Sequence, residues 1–93
     1  MTFSEALTNL KNGYRVYREG WNGKHQFVYL VMGEVLQHSG INYSEYGFED
    51  VFAILTESMR VQLGWNPSQA DLLANDWKRV TDILEEAEED ERG

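Results

Sequence analysis

A short segment that contains two glycines, residues 18–24, carries the side chains with the most evident binding chemistry. It combines an aromatic plane, an amide and two cations, supplied by Trp21, Asn22, Arg18 and Lys24. A tryptophan in a glycine-rich turn has no evident folding role, because such turns are hard to bury and stay near water. The segment therefore predicts a place where a flat, anionic ligand is held.

A second tryptophan-bearing turn adds groups that form directional hydrogen bonds. Trp65 lies just before the helix-start signal of residues 66–71, where Gln69 and Asp71 could bind hydroxyl groups or base edges. Free backbone N–H groups at that helix start would also favour an anion. Each residue alone is more often a surface side chain or helix cap, but together the two turns favour binding.

The aromatic residues divide between core and candidate site. The chain has three Trp, five Tyr and four Phe, and stacking of a base on an aromatic ring contributes about 1–3 kcal/mol. Phe3, Phe27, Phe52 and Trp77 are assigned to the core, because each lies in an apolar periodic run. Trp21 is assigned to function by its place in a turn, whereas Trp65 fits either role.

Catalytic chemistry has little support in the sequence. The two histidines, His25 and His38, belong to no ligand or nucleophile motif, and the chain has no cysteine. Glu49 and Asp50 would fall on opposite sides of a strand, which disfavours a shared acid–base site. Neither a Walker loop nor a dinucleotide-binding glycine fingerprint is present. We therefore expect no enzyme activity, no catalytic residue, no metal and no cofactor.

The formal charge of −8 is unevenly distributed. Residues 1–80 hold seven basic and nine acidic side chains, a balance of −2, and the remaining −6 lies in the acidic C-terminal stretch. Such a block repels itself and is usually solvated. We expect a single ligand-binding domain over residues 1–81 and a flexible or frayed-helix tail over 82–93. The nearly neutral domain does not exclude an anionic ligand.

Local patterns predict the elements that position these residues. Thr2–Glu5 has the form of a capping box and opens a short amphipathic helix that ends at Asn12-Gly13. Residues 14–18 and 26–32 read as an antiparallel pair of strands around the Trp21 turn. Gly33-Glu34 reads as a tight turn that leads into a short run, Val35–Gln37, and residues 38–47 read as a loop. Residues 50–55 fit either strand or helix.

The second half of the chain is predicted to complete a sheet. Residues 59–65 alternate like a half-buried strand, and 77–80 read as a returning strand. Between them, Leu72, Leu73 and Ala74 are expected to pack inward from a short helix. The predicted fold is α+β, a small antiparallel sheet decorated by an N-terminal helix and a short helix before the last strand.

Three blocks of sequence carry a specific resemblance. They are Thr2–Leu7 with Leu10–Gly13, then Arg18–Lys24, and finally Trp65–Trp77. In this order they resemble the small phage and prophage domain family of the second Thoeris anti-defence type. With their flanks the blocks cover residues 2–32 and 59–80. Residues 33–58 depart from the family pattern, which leaves the choice of ligand open because specificity is often set in variable loops.

The resemblance implies a sponge without enzymatic activity. Such proteins bind the cyclic ADP-ribose-type signal of a bacterial TIR-domain defence protein, and some members also bind cyclic dinucleotides. Homo-oligomers, dimers or tetramers, with pockets between subunits are implied as well. By matching motif, the resemblance assigns ligand binding to Trp21, Asn22, Lys24, Trp65, Gln69 and Asp71, and Arg18 joins them as a nearby cation.

A second class of function stays open, namely an acidic protein-interaction or DNA-mimic inhibitor that acts on a host defence protein through the tail. For either class the expected location is the cytoplasm of the infected bacterial host. Residues 1–13 lack the pattern of a signal peptide, and no apolar run approaches the roughly 20 residues that span a bilayer. Neither nucleic acid nor a membrane is an expected partner.

Overall fold

A computed structural model describes residues 1–21, 25–38 and 46–80. The elements in chain order are α1 (Phe3–Lys11), β1 (Val16–Arg18), β2 (Phe27–Val31), α2 (Gly33–Gln37), β3 (Val51–Leu55), β4 (Val61–Leu63), α3 (Gln69–Leu73) and β5 (Trp77–Arg79). The strands form one antiparallel sheet in the order β4-β3-β2-β1-β5. The α+β prediction is confirmed. Predictions for Asn22, Lys24, most of the 38–47 loop and the acidic tail lie outside the described residues.

Helix α1 begins at the capping box that the sequence predicts. The Thr2 hydroxyl accepts a hydrogen bond from the Glu5 backbone N–H at 3.3 Å, and the Glu5 carboxylate accepts one from the Thr2 N–H at 3.0 Å. The helix ends where Gly13 adopts a φ of +89°, a conformation that favours glycine. Between these ends, α1 turns Ala6 and Leu10 onto the sheet, and both are fully buried.

The core lies between α1 and one face of the sheet. Its buried side chains are Ala6, Leu10, Val16, Val28 and Trp77. Val16 lies opposite Val28 in the β1–β2 pair, as expected for the predicted antiparallel strands. Strand β5 pairs with the other edge of β1 and places Trp77 opposite Arg18. The pairing of β5 with β1 therefore brings residues from the first and last parts of the described sequence together at one corner of the core.

The aromatic core assignments are largely confirmed. Trp77 is buried, and Phe3 and Phe52 are partly buried and pack against the core cluster. The assignment of Phe27 to the core was wrong, because Phe27 is half-buried on the other face of the sheet, where its ring centroid lies 5.1 Å from the Arg15 guanidinium carbon.

Residues 33–37 form a helix, so the prediction of a tight turn and a short extended run was wrong. The Asp50 carboxylate accepts a hydrogen bond from the Gly33 N–H at 2.8 Å, at the first residue of α2. A side chain at Gly33 would collide with the carbonyl oxygen of Phe48. The glycine that resembles a turn signal thus serves a close approach of two backbone segments. Residues 51–55 are a strand, which resolves the ambiguity left by their apolar run.

Two burial predictions were also wrong. Strand β4 is confirmed as a strand, but it lies at the sheet edge and all three of its residues are exposed, Val61 and Leu63 by 52% and 51%, so it lacks the buried face that was expected. On α3, Leu72 and Leu73 are 47% and 80% exposed. That helix has one turn and a half, and its inward position is taken by Asp71, so the next two side chains point away. Ala74 does pack against the core.

Across β2, β3 and β4, the face of the sheet opposite α1 is apolar, and we call this surface the distal face. Register places Tyr29, Ala53 and Leu63 side by side on it, because Val28 on the alternate position lies in the core. The same alternation adds Phe27, Val31, Val51, Leu55 and Val61. In the described part of the chain, no helix is long and apolar enough to cross a membrane.

Candidate functional site

Arg18 joins the Trp21 turn to α3 and β5. Its Nε donates to Asp76 Oδ1 and its Nη1 to Asp71 Oδ1, each at 2.9 Å. The Arg18 side chain is only 19% exposed, and those of Asp71 and Asp76 are 11% and 30% exposed. We call these three residues the Arg18 cluster. Because the ion pairs are partly shielded from water, they bind more strongly than typical surface pairs.

The ion pairs of the Arg18 cluster stabilise the charged form of each member. The hydrogen bond to Asp76, followed by that to Asp71, raises the pKa of Arg18 above its usual value. The Arg18 guanidinium lowers the pKa of Asp76. Burial alone would raise the pKa of Asp71, but the hydrogen bonds from the Ser68 backbone, Arg18 and Trp21 together outweigh burial and leave it lowered. All three groups are therefore charged at neutral pH.

Trp21 is fixed by its edge. Its indole N–H donates to Asp71 Oδ1 at 3.2 Å, and its ring meets Trp77 edge-to-face with centroids 5.4 Å apart. The backbone before it is held too, since the Gly20 N–H donates to Asp76 Oδ2 at 2.8 Å. The indole is half-buried. Trp21 is thus an ordered side chain with part of its surface left to solvent.

Trp65 reaches the same buried ring from another segment. Its ring meets Trp77 edge-to-face at 6.2 Å, and it too is half-buried. Trp77 is itself anchored, because its indole N–H donates to the Asp71 carbonyl oxygen at 3.0 Å. Edge-to-face aromatic pairs are worth about 0.5–1.5 kcal/mol beyond the area they bury. Trp77 therefore supports the two candidate ligand-binding indoles at once.

The start of α3 has a capping box of its own. The Asp71 N–H donates to the Ser68 hydroxyl at 3.1 Å, and the Ser68 N–H donates to Asp71 Oδ2 at 2.9 Å. These two backbone donors already have partners within the chain, and the carboxylate of Asp71 supplies the negative charge that a helix start favours. The predicted anion site at this helix start thus loses two of its donors.

The structure brings four of the seven predicted site residues together around Trp77. These are Arg18, Trp21, Trp65 and Asp71. Gln69 lies exposed at the first position of α3. Asn22 and Lys24 lie outside the described residues. Their assignment to ligand binding stays a prediction.

Asp76 is the site residue that sequence reasoning missed. It lies 58 residues from Arg18, directly before β5, and its carboxylate joins Arg18 to Gly20. An aspartate before a short strand is unremarkable in sequence. The contacts of Asp76 with Arg18 and Gly20 depend on the pairing of β5 with β1, and no local sequence pattern predicts that pairing. The one available signal was the position of Asp76 beside Trp77, a residue assigned to the core.

This arrangement favours binding over proton transfer. Asp71 and Asp76 are held ionised by a paired arginine, whereas a general acid at neutral pH needs a raised pKa. His25 and His38 are both exposed. Among residues 1–21, 25–38 and 46–80, no group of three or more His, Cys, Asp or Glu side chains is placed to hold a metal ion.

Comparisons with known proteins cover nearly all of this architecture. The model of the Thoeris anti-defense 2-like domain family matches residues 1–80, which include all eight helices and strands named above. A curated relative, Thoeris anti-defense 2 of Bacillus phage SP01, is 43% identical over 86 residues. The alignment covers 87% of this chain and 96% of the relative.

Proposed function

This chain belongs to the Thoeris anti-defense 2-like domain family, and we infer from that membership and from its site that it is a non-enzymatic sponge for an immune signal. Membership confirms the resemblance carried by the three sequence blocks and supports a phage anti-defence role. The finer proposal is that the protein sequesters cyclic ADP-ribose-type molecules, with cyclic dinucleotides as a related class. It would do so in the cytoplasm of the infected host, where such a signal acts.

The observation that carries this proposal is the pair of half-buried indoles supported by one buried ring. Trp21 and Trp65 each meet Trp77 edge-to-face and are only half-buried, so each indole keeps ring surface exposed to solvent. A purine base can stack on an exposed aromatic ring for about 1–3 kcal/mol. The indole N–H of Trp21 is already bonded to Asp71, which fixes the ring before any ligand arrives.

The charges of the Arg18 cluster refine the roles of the polar residues. One guanidinium faces two carboxylates, so the cluster as a whole is formally negative and offers no excess positive charge to a phosphate. We therefore assign Lys24 as the phosphate contact and Arg18 as the residue that orients Trp21 and Asp71. Asn22 and Gln69 are the proposed hydrogen-bonding partners of ribose or base. Asp71 has three described donors on its carboxylate, which favours an orienting role for it as well.

The binding affinity that a sponge needs is more than the contacts of one domain readily supply. A sponge that depletes a scarce signal needs nanomolar binding, about −12 kcal/mol, whereas one or two stacked bases contribute about 1–3 kcal/mol each. Charge-assisted hydrogen bonds in an enclosed pocket supply the remainder best when the pocket is formed in advance. We propose that a second copy of the chain encloses the ligand, in a dimer or tetramer.

The distal face supports self-association. It is apolar across β2, β3 and β4, and its edge residues Val61 and Leu63 are about half exposed. Exposed apolar patches on a soluble domain commonly mark interaction surfaces. Because β4 is the sheet edge, a second copy can bury the patch and cover the edge together.

Calorimetry with cyclic ADP-ribose isomers tests the proposal directly. We expect tight binding and recovery of the intact ligand after the protein is heat-denatured. Trp21→Ala should weaken binding about 5- to 150-fold, the equivalent of one lost stacking contact. The matched control is Phe48→Ala, which removes another exposed ring at the opposite end of β2. Recovery of a degraded ligand would reject sequestration and indicate catalysis instead.

A further inference from the structure

We propose that Asp76 is a positioning residue that sets the Trp21 turn by joining the Arg18 side chain to the Gly20 backbone. Its Oδ1 accepts from Arg18 Nε at 2.9 Å, and its Oδ2 accepts from the Gly20 N–H at 2.8 Å. One carboxylate thus fixes a side chain at the end of β1 and a backbone group two residues later. The proposal rests on the proposed function, since it concerns the residue that presents Trp21 to a ligand.

The backbone around this carboxylate is tied in the same way. The Glu19 N–H donates to the Asp76 carbonyl oxygen at 3.1 Å, which extends the β1–β5 ladder by one residue. The Trp21 N–H donates back to the Arg18 carbonyl oxygen at 3.2 Å and closes the turn. Asp76 therefore holds the turn through both its backbone and its side chain, at the point where the chain leaves the sheet.

Gly20 is required by this contact and not by its backbone conformation. A Cβ at this position would lie 2.8 Å from Asp76 Oδ2, closer than a carbon and a carboxylate oxygen can approach. Its φ lies outside the left-handed region, so alanine fits the backbone itself. Glycine thus gives the carboxylate access to the N–H, and the two residues act as one unit.

The two aspartates of the Arg18 cluster therefore have different roles. Asp71 binds the indole edge of Trp21, and Asp76 binds the backbone that precedes it, while Arg18 links both. Because the Trp21 ring and the backbone before it are each held, they lose little conformational entropy when a ligand binds. Binding is then tighter than it would be to a turn that had to become ordered. Asp76 need not touch the ligand to do this.

Amide hydrogen exchange tests the contact without any ligand. In the full-length wild type, the Gly20 amide should exchange slowly although its residue is exposed, and in Asp76→Asn its exchange should speed up about tenfold or more. The matched control is Glu19→Gln, which removes one negative charge from the same turn and breaks the surface pair with Lys78, while the Asp76 carboxylate stays in place. A fast-exchanging Gly20 amide in the wild type overturns the proposal, even if Asp76→Asn fails to fold.

A double-mutant cycle then tests whether Asp76 acts through Trp21. Asp76→Asn should weaken binding of cyclic ADP-ribose isomers and reduce the near-ultraviolet circular dichroism of the indoles. In a Trp21→Ala background, where residue 21 has no ring to position, it should weaken binding further by less than about twofold. Additive losses overturn the positioning role. If no isomer binds the wild type but Gly20 exchange responds as expected, the contact stands and the proposed function fails. Gly20→Ala should reproduce Asp76→Asn by displacing the carboxylate.

Discussion

The indole N–H of Trp21 donates to the carboxylate of Asp71, a residue 50 positions later in the chain, at 3.2 Å. The same carboxylate receives Arg18 and the backbone N–H of Ser68. Asp71 is 8% exposed, so these bonds replace most of its contact with water. A residue at the start of a helix of five residues thereby controls the ring proposed to receive the ligand.

Asp71→Ala should be strongly destabilising, by about 2–4 kcal/mol, because it takes the acceptor from Nη1 of the half-buried Arg18 guanidinium and from the indole N–H of Trp21. It also removes the capping box of α3. Urea unfolding measures the change. Glu57→Gln, which alters an exposed residue, is the control and should stay within about 0.5 kcal/mol of wild type. A loss from Asp71→Ala no larger than that of the control would contradict this account.

Acid should destabilise the protein through the Arg18 cluster. The folded-state pKa values of Asp71 and Asp76 lie below the ordinary value of 3.8, so both groups bind protons less readily when folded than when unfolded. Their stabilising effect is complete above about pH 4 and is lost as pH falls through the lowered folded values. The pKa of Glu5 is lowered as well, by its backbone hydrogen bond from Thr2.

The measurement is the free energy of unfolding in urea between pH 6 and pH 2.5, in wild type and in Arg18→Met. Arg18→Met removes the cation but leaves the Glu5 capping box intact, so the contribution of Glu5 cancels in the comparison. The variant should lose less stability than wild type over this range. Equal losses in the two proteins would show that the guanidinium does not set the pH dependence.

The sequence predicts those parts of the site that depend on neighbouring residues. The Thr2–Glu5 capping box, the helix start before α3, the strands around the Trp21 turn and the burial of Trp77 follow from local spacing. The Arg18 cluster does not, because its ion pairs join residues 53 and 58 positions apart. Those pairs depend on β5 returning beside β1. Local pattern also misplaced Leu72 and Leu73, since a capping aspartate took the inward position.

The α2 helix shows a different limit. Gly33-Glu34 has the composition of a turn, and the close approach of the Phe48 backbone that explains this glycine is invisible in sequence. Gly33→Ala should therefore destabilise by about 3 kcal/mol or more, because the new methyl group collides with backbone. Gly47→Ala is the matched control, since its Cβ would lie 3.8 Å from the nearest atom, Gln37 Oε1. Thermal unfolding distinguishes them, and similar melting temperatures would contradict the proposed clash.

Leu63→Glu should reduce self-association, because it places a charge on the distal face at the exposed sheet edge. Analytical ultracentrifugation should show a shift toward the monomer and, as the second copy withdraws, weaker binding of the ligand. Leu73→Glu, at a more exposed position on α3, is the control and should leave the assembly unchanged. An unchanged assembly in Leu63→Glu would move the interface away from the distal face.

Deleting residues 82–93 separates the sponge from the acidic inhibitor. The family match ends at residue 80, so the truncated chain should bind the ligand with wild-type affinity and keep its anti-defence activity. Phage infection of a host with an active Thoeris system measures that activity. Loss of protection together with intact ligand binding would instead favour an inhibitor that acts on a host protein through its tail.

The shared contact of two indoles with Trp77 also gives the proposed binding an optical readout. Trp21 and Trp65 both lie within the short range over which neighbouring indoles exchange excitation energy, since each packs directly on the same third ring. A nucleotide that stacks on either one will change the emission of the group as a whole. The fraction of protein with bound nucleotide can therefore be followed in real time by intrinsic tryptophan fluorescence, without a label.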